Sequence, residues 1–125
     1  MNIESKARYI REDLIKLINY KKTSTLPKQQ LIYANGLVDY FKDELPIQFL
    51  NWVYNYLLPG GKVFLGQIYK ENPDRLYIEY IMDWKLIYRD QGDLRKIFSK
   101  SNFKKSALTF TFEESPSILF VIAKK

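Results

Sequence analysis

Polar and aromatic residues follow two apolar runs in this sequence, at positions where open α/β sheets bind their ligands. The first run covers residues 31–34, and the group that follows it is our candidate for binding a ligand: Asn35, Gly36, Asp39 and Tyr40. Gln67 and Tyr69 end the second run, 63–68, and are candidate substrate-binding residues at the same expected edge of the sheet. A turn, a helix cap and half-buried packing would account for the same residues, so both interpretations stay open.

A second group of candidate substrate-binding residues lies between positions 77 and 89. Aromatic side chains recur there at helical spacing and could wall an apolar pocket: Tyr77, Tyr80, Trp84 and Tyr88. The same spacing is typical of residues that pack in a core. Arg89 could hold a substrate carboxylate through a bidentate contact. The alternative for Arg89 is a surface ion pair with one of three aspartates: Asp83, Asp90 or Asp93.

The composition excludes several kinds of site. The sequence has 125 residues, with neither cysteine nor histidine. Disulfides, thiolate chemistry and nucleophiles activated by histidine are therefore excluded, and we expect no metal site. Hydrophobic residues make up 46% and charged residues 27%, which predicts one globular domain over residues 1–125. The lack of cysteine favours a cytoplasmic location, and no apolar run is long enough to cross a membrane.

The formal net charge is +6, and the basic side chains gather towards both ends of the sequence. Such a surface could attract nucleic acid or anionic lipid. No nucleic-acid-binding motif accompanies the charge, so a nucleic-acid partner ranks last. An ordinary solvated surface rich in lysine explains the same charge.

The expected elements begin with a strand, a helix and a second strand. Residues 31–34 are apolar on both faces, which predicts a buried strand of a parallel sheet. Apolar side chains at helical spacing then predict a helix over 47–58, with Pro46 in its first turn and the acidic pair 43–44 at its positive end. Pro59-Gly60-Gly61 should stop that helix and turn the chain into the second strand. The result is a βαβ unit with a right-handed crossover.

The last third of the sequence predicts two more helices and a hairpin. Asn72 and Pro73 should begin a helix that runs to about Trp84. Residues 90–92 should form a turn, and Asp93 should begin a short helix. The hairpin is expected to be antiparallel, with a half-buried strand over 107–113 and a central strand over 118–123.

Residues 1–28 are expected to form an N-terminal helical segment and a linker, and residues 29–125 the sheet core. Apolar residues recur every three or four positions up to Ile18, which predicts an amphipathic helix. The alternative is a short strand near residues 9–11, followed by a helix from Asp13. Residues 21–28 are polar and predict the linker.

Three segments carry a resemblance to a known family: residues 31–40 (LIYANGLVDY), 57–62 (LLPGGK) and 83–89 (DWKLIYR). With the order of elements, they resemble the C-terminal half of a class I S-adenosylmethionine-dependent methyltransferase. The first and third segments look like a bacterial group linked with making a hydroxy-fatty-acid methyl ester. The resemblance covers about residues 8–125, if residues 9–11 are the family's third strand. It implies S-adenosylmethionine as the cofactor and makes Asn35, Gly36, Asp39 and Tyr40 the candidate cofactor-binding residues, in a segment that faces the methyl group and the substrate.

The sequence departs from that family in its cofactor half. The family binds the cofactor mainly through its first strand and a glycine-rich turn. This sequence has five glycines, and none forms a Gly-x-Gly-x-x-Gly motif after a strand. We therefore expect an α/β fold that is a partial Rossmann-like methyltransferase sheet, ending in an antiparallel hairpin and lacking the first strands. Strand 31–34 would then be an open apolar edge that meets a second copy in a homodimer, a partner chain or the N-terminal segment.

Two functions are consistent with these features. The first is a truncated or split methyltransferase that transfers a methyl group to a small, fatty-acid-like substrate. The protein would mainly align the nucleophile with the methyl carbon, and a carboxylate acceptor would need no general base. The second is a non-catalytic, methyltransferase-like interaction domain that dimerises or pairs through its open edge. The missing glycine motif leaves open whether this chain is an enzyme, and no residue is singled out as catalytic.

Overall fold

The computed structural model describes residues 6–19, 26–104 and 106–125, and it shows an α/β fold built on a mixed four-stranded sheet. The strands are β1 (Gln29–Asn35), β2 (Leu57–Ile68), β3 (Leu108–Phe112) and β4 (Ile118–Lys124). The helices are α1 (Leu14–Asn19), α2 (Glu44–Tyr56) and α3 (Gln91–Lys100), with a 3-10 turn at Val38–Tyr40 and a π-helical turn at Tyr77–Ile81. The strand order is β1-β2-β4-β3, which confirms the predicted α/β class.

The predicted strand–helix–strand unit is present as β1, α2 and β2. The two strands are parallel, with Ile32 opposite Val63 and Asn35 opposite Gly66. The helix ends at Tyr56, earlier than predicted, because the backbone of Leu57 is already extended and begins β2.

The prediction that Pro59-Gly60-Gly61 stops this helix and turns the chain is wrong. These residues lie inside β2, where the pairing with β1 shifts between Gln29 and Leu31. Gly60 has a φ of +81°, and a Cβ on Gly61 would lie only 2.8 Å from the Leu58 carbonyl oxygen. The two glycines therefore permit a bulge in the strand, where chain segments approach too closely for a side chain.

Helices α2 and α3 pack on one face of the sheet and form the core with it. The helices contribute fully or almost fully buried side chains: Leu50, Val53, Leu94, Ile97 and Phe98. The strands contribute the side chains of their facing positions: Val63, Leu65, Leu119, Val121 and Ala123. Burial of each large aliphatic side chain stabilises the fold by about 1.5–3 kcal/mol.

The other face of the sheet is much less covered. Leu31 and Tyr33 are 57% and 74% exposed, so the prediction that residues 31–34 form a buried strand is wrong on this face. Tyr33 lies opposite Phe64, whose ring centroid lies 5.0 Å from that of Phe120. These side chains form an apolar strip that continues from the edge strand towards the centre of the sheet.

Within the described residues β1 pairs with β2 alone, so β1 is the edge strand expected from the sequence. Residues 7–13 adopt no regular structure, so the amphipathic helix predicted there and the alternative strand near residues 9–11 are both wrong for this stretch. The helix instead begins at Leu14, close to the expected start at Asp13, whose carboxylate accepts hydrogen bonds from the Ile15 and Lys16 amides. Residues 1–5 and 20 of the predicted helical segment, and residues 21–25 of the linker, lie outside the described residues.

The C-terminal hairpin is confirmed. β3 and β4 are antiparallel, and β4 lies between β2 and β3 as the central strand predicted from its unbroken apolar run. Helix α3 begins at Gln91, so residues 90–92 are not the predicted turn. Asp90 caps α3 instead, because its carboxylate accepts the Asp93 amide while the Asp93 carboxylate accepts the Asp90 amide. In the described ranges, no helix has the length and apolarity needed to cross a membrane.

Candidate functional site

The candidate cofactor-binding residues lie where β1 ends. The carboxyl ends of β1 and β2 reach the same edge of the sheet because the two strands run in parallel. Gly36 follows β1 with a φ of +74°, a left-handed conformation that favours glycine. A Cβ on Gly36 would meet no described atom within 4 Å, so the surface beside this residue is open. Asn35 and Tyr40 are exposed on either side of it in the sequence.

Arg89 is buried behind this turn and hydrogen-bonded to it. Its side chain is 2% exposed. Nη1 donates to the Val38 carbonyl at 3.0 Å, and Nη2 donates to the Phe41 carbonyl. Nε and Nη2 both donate to Oδ1 of Asp43, at 3.1 and 3.0 Å. One side chain therefore binds three positions of the loop between β1 and α2, residues 36–43, which we name the edge loop.

The predicted partners of Arg89, namely Asp83, Asp90 and Asp93, are wrong. Arg89 points into the protein towards the edge loop, and its ion pair is with Asp43. A substrate carboxylate could reach the guanidinium only by displacing Asp43 or a carbonyl group. The sequence associates Asp43 only with the dipole of α2, although its side chain makes no cap hydrogen bond.

Gln67 is fully buried at the end of β2 and completes the bonding of Arg89. Its Oε1 accepts from Nη1 of Arg89 at 2.7 Å. Its Nε2 donates to the Ile87 carbonyl at 2.8 Å and to the Ile68 carbonyl at 3.1 Å. Tyr69 lies just beyond, with its ring centroid 4.8 Å from that of Phe112. The structure thus brings Gln67 and Arg89 together and leaves only Tyr69 partly exposed.

Asp39 ties the edge loop to two other segments. It is 7% exposed, and its Oδ1 accepts a hydrogen bond from the Ile68 amide at 2.8 Å. Its backbone carbonyl accepts from the Ile87 amide at 2.7 Å. Burial raises the pKa of the Asp39 carboxyl, while the Ile68 amide and the nearby Arg89 charge partly offset that rise. Asp39 could contact a ligand directly only by giving up its bond to Ile68.

The aromatic residues of 77–84 do not enter the core. The helical segment after Asn72 ends at Ile81, and the chain turns at Asp83, which has a φ of +48°. The predicted helix to Trp84 is therefore too long, and its aromatic stripe is left on the surface. Together with Tyr40 these exposed side chains form what we name the aromatic surface: Tyr40, Tyr77, Tyr80 and Trp84.

Trp84 of the aromatic surface lies close to Tyr40 of the edge loop. The ring centroids of Tyr40 and Trp84 lie 6.4 Å apart, with the rings tilted against each other. Tyr77 and Trp84 are 57% and 44% exposed, so both are accessible to a ligand. Tyr88 is separate, because it is buried under the Arg75 guanidinium, 4.4 Å from its ring centroid. Burial and the nearby Glu79 raise the pKa of the Tyr88 hydroxyl.

A small cavity of about 40 Å³ lies elsewhere, between α1, α2 and the edge loop. Its lining is apolar and includes Leu14, Ile18 and Phe49. It therefore offers no polar group that could orient a cofactor. Across the described residues, no three potential metal-ligating side chains come together.

No family model and no curated protein matches this sequence. Solved structures do match its fold. A possible exported protein from Bordetella parapertussis superposes with a TM-score of 0.72 and 19% identity, over 92% of this chain and 43% of its own. The S-adenosylmethionine-dependent methyltransferase SibL in its apo form matches with a TM-score of 0.71 and 14% identity, over 99% of this chain and 37% of its own.

The N-methyltransferase NodS from Bradyrhizobium japonicum WM9, in complex with S-adenosyl-L-homocysteine, is a further neighbour. Its TM-score is 0.53 and its identity 16%, over 91% of this chain and 52% of its own. The chain thus spans between about a third and about half of the length of these three structures. Over that span, its α/β fold matches the Rossmann-like domains of S-adenosylmethionine-dependent methyltransferases.

Proposed function

We propose that this chain is one part of an S-adenosylmethionine-dependent methyltransferase, either a truncated portion or a subunit of a split enzyme. The carrying observation is the match to SibL, which covers 99% of this chain but only 37% of that methyltransferase. The sequence lacks the glycine-rich turn, so a complementary part would supply that side of the cofactor site. A partner chain or a second copy would fill this role.

The edge loop fits one side of the cofactor. Asn35, Gly36 and Tyr40 would contact it, because their surface is open, and the buried Asp39 would hold them in place. S-adenosylmethionine supplies a methyl group on a positively charged sulfur. The exposed ring of Tyr40 suits such a ligand, since aromatic faces attract cations.

The aromatic surface suits an apolar methyl acceptor. Tyr77 and Trp84 would contact the acceptor. Tyr69, which directly follows β2, would add a further contact at this edge of the sheet. Gln67, Tyr88 and Arg89 would support these contacts from the interior, since all three are buried. A fatty-acid-like acceptor is our specific proposal, and its carboxylate would attack without a general base.

Calorimetry with S-adenosylmethionine tests the cofactor proposal, because this compound carries the positively charged sulfur that the Tyr40 ring would contact. We expect the wild-type protein to bind, and Tyr40→Ala to bind about fivefold to tenfold more weakly through loss of the aromatic contact. The matched control is Tyr9→Ala, which removes another exposed tyrosine outside the candidate site and should bind as the wild type does. Absence of heat with the wild type, or equal losses in both variants, would contradict binding of the cofactor by the edge loop of this chain alone.

The open edge of β1 favours a second candidate function, a non-catalytic domain that pairs through this strand. Residues 29–35 carry no charge, and Leu31 and Tyr33 are exposed on one face. Uncharged edge strands readily accept another strand. Stable self-association without cofactor binding would favour this function over methyl transfer.

A further inference from the structure

The edge loop depends on bonds to other segments for its shape. Its regular structure is limited to the three-residue turn Val38–Tyr40, closed by a bond from the Phe41 amide to the Val38 carbonyl. Further hydrogen bonds tie the loop to segments that are distant in the sequence. Arg89 donates four of them, and the Ile87 amide donates one to the Asp39 carbonyl. The Asp39 carboxylate adds a bond from Ile68 of β2.

The chemistry of this position requires arginine rather than a simple positive charge. The acceptors of Arg89 lie in several directions: the Val38 and Phe41 carbonyls, Oδ1 of Asp43 and Oε1 of Gln67. A planar guanidinium offers five donors in a fixed fork, whereas an ammonium offers three donors around one nitrogen. Gln67 holds the guanidinium in its orientation, because its own amide is anchored to the Ile87 carbonyl.

We infer that Arg89 is a positioning residue that holds the edge loop in the shape that presents Asn35, Gly36 and Tyr40. It does not contact the ligand itself. The ring of Tyr40 in this loop lies beside that of Trp84. Arg89 therefore also connects the edge loop with the aromatic surface, the two halves of the proposed site. The part of this inference that concerns ligand binding rests on the proposed function, and the part that concerns the loop does not.

The first test compares amide hydrogen exchange in the wild type and in Arg89→Lys. The reporters of the loop are the amides of Phe41 and Ile87, and those of the core are Leu65 and Val121. We expect the loop amides to accelerate at least about tenfold more than the core amides, because lysine loses part of the donor fork. Arg75→Lys is the matched control, since Arg75 contacts Glu79 and Tyr88 but not the loop.

A second variant, Asp43→Ala, removes the exposed partner of the ion pair and should give the same selective acceleration of exchange at the loop amides. Equal acceleration of loop and core amides in both variants, or none, would overturn the inference, because a merely stabilising contact acts on the whole fold.

Calorimetry with S-adenosylhomocysteine completes the test. Selective loop opening together with an affinity lowered about tenfold in Arg89→Lys supports the inference for ligand binding. Unchanged affinity in a variant whose loop has opened overturns that part. Selective loop opening in a protein that does not bind the compound at all would refute the proposed cofactor site on this chain alone while leaving the positioning of the loop established.

Discussion

Arg89 and Asp43 form an ion pair in which one partner is buried and the other is exposed. Nη2 and Oδ1 lie 3.0 Å apart, while the side chains are 2% and 64% exposed. The pair joins positions 46 residues apart in the sequence. The exposed carboxylate keeps its contact with water while it compensates the buried charge, which lessens the desolvation cost of the pair.

Replacement of Arg89 by methionine should destabilise the protein by about 3 kcal/mol or more. Methionine fills similar space but leaves Oε1 of Gln67 and the Phe41 carbonyl without the donors that Arg89 supplies, and the Val38 carbonyl keeps only its bond from the Phe41 amide. Urea unfolding monitored by circular dichroism measures the change. Arg75→Met is the control and should cost less than about 1 kcal/mol, because the pair with Glu79 is partly exposed. Equal losses would contradict the importance assigned to the buried contacts.

Replacement of Asp39 by asparagine should change how stability depends on pH. The pKa of Asp39 is raised chiefly by burial, so the folded protein holds this proton more tightly than the unfolded chain. Its contribution to stability is fully present below the unfolded pKa of 3.8 and is lost as the pH rises through the higher folded pKa. Asparagine can accept the Ile68 bond at every pH.

The free energy of unfolding of Asp39→Asn should therefore increase relative to that of the wild type as the pH rises from acid through the range just above 3.8. Urea unfolding of both proteins at a series of pH values gives the difference directly. If the difference in free energy of unfolding stays constant with pH, or changes in favour of the wild type, burial is not the main influence on the pKa of the Asp39 carboxyl.

Replacement of Gly61 by alanine should destabilise the protein by about 2 kcal/mol. The new Cβ would lie 2.8 Å from the Leu58 carbonyl oxygen and 3.1 Å from that of Gln30, and backbone atoms cannot move aside easily. The comparison is Gly36→Ala, which meets open space and should cost only about 1 kcal/mol for its left-handed φ. Thermal unfolding compares the stabilities of the two variants. A larger loss in Gly36→Ala than in Gly61→Ala would contradict the close approach of chain segments at the bulge.

Replacement of Tyr33 by lysine should weaken self-association through the edge of β1. The residue is 74% exposed in the single chain, so folding stability should change by less than about 0.5 kcal/mol. Light scattering after size exclusion, at increasing protein concentration, should show larger species for the wild type than for Tyr33→Lys. Tyr80→Lys alters an equally exposed tyrosine and should behave like the wild type. A monomeric wild type at every concentration would refute pairing of two copies.

Local sequence patterns predict the sheet well because short-range periodicity determines which face of a strand is apolar. Leu108 and Phe110 alternate with threonines in β3, and the unbroken apolar run of β4 indicates a central strand. The local pattern does not distinguish the two roles of Pro59-Gly60-Gly61, because the same residues suit the end of a helix and a bulge within a strand.

The site was less predictable, because its bonds join distant parts of the chain. The positions of Asn35 and Gly36 at a strand end follow from local pattern. Nothing local indicates that Arg89 selects Asp43 over the nearer Asp90 or Asp93. The exposure of Tyr77 likewise depends on where the helix ends, which spacing alone does not determine.

The place of β4 affects the order in which the sheet can assemble. β4 forms the inner ladder with both β2 and β3, although it is the last of the four strands along the sequence. During synthesis on the ribosome, β1 and β2 can therefore form only a two-stranded ribbon until residues 118–124 emerge. Such ribbons are marginally stable in water. Over that interval the apolar side chains of Val63 and Leu65 lack their neighbours in β4, so a nascent chain stalled before residue 118 should engage chaperones that recognise exposed apolar strands.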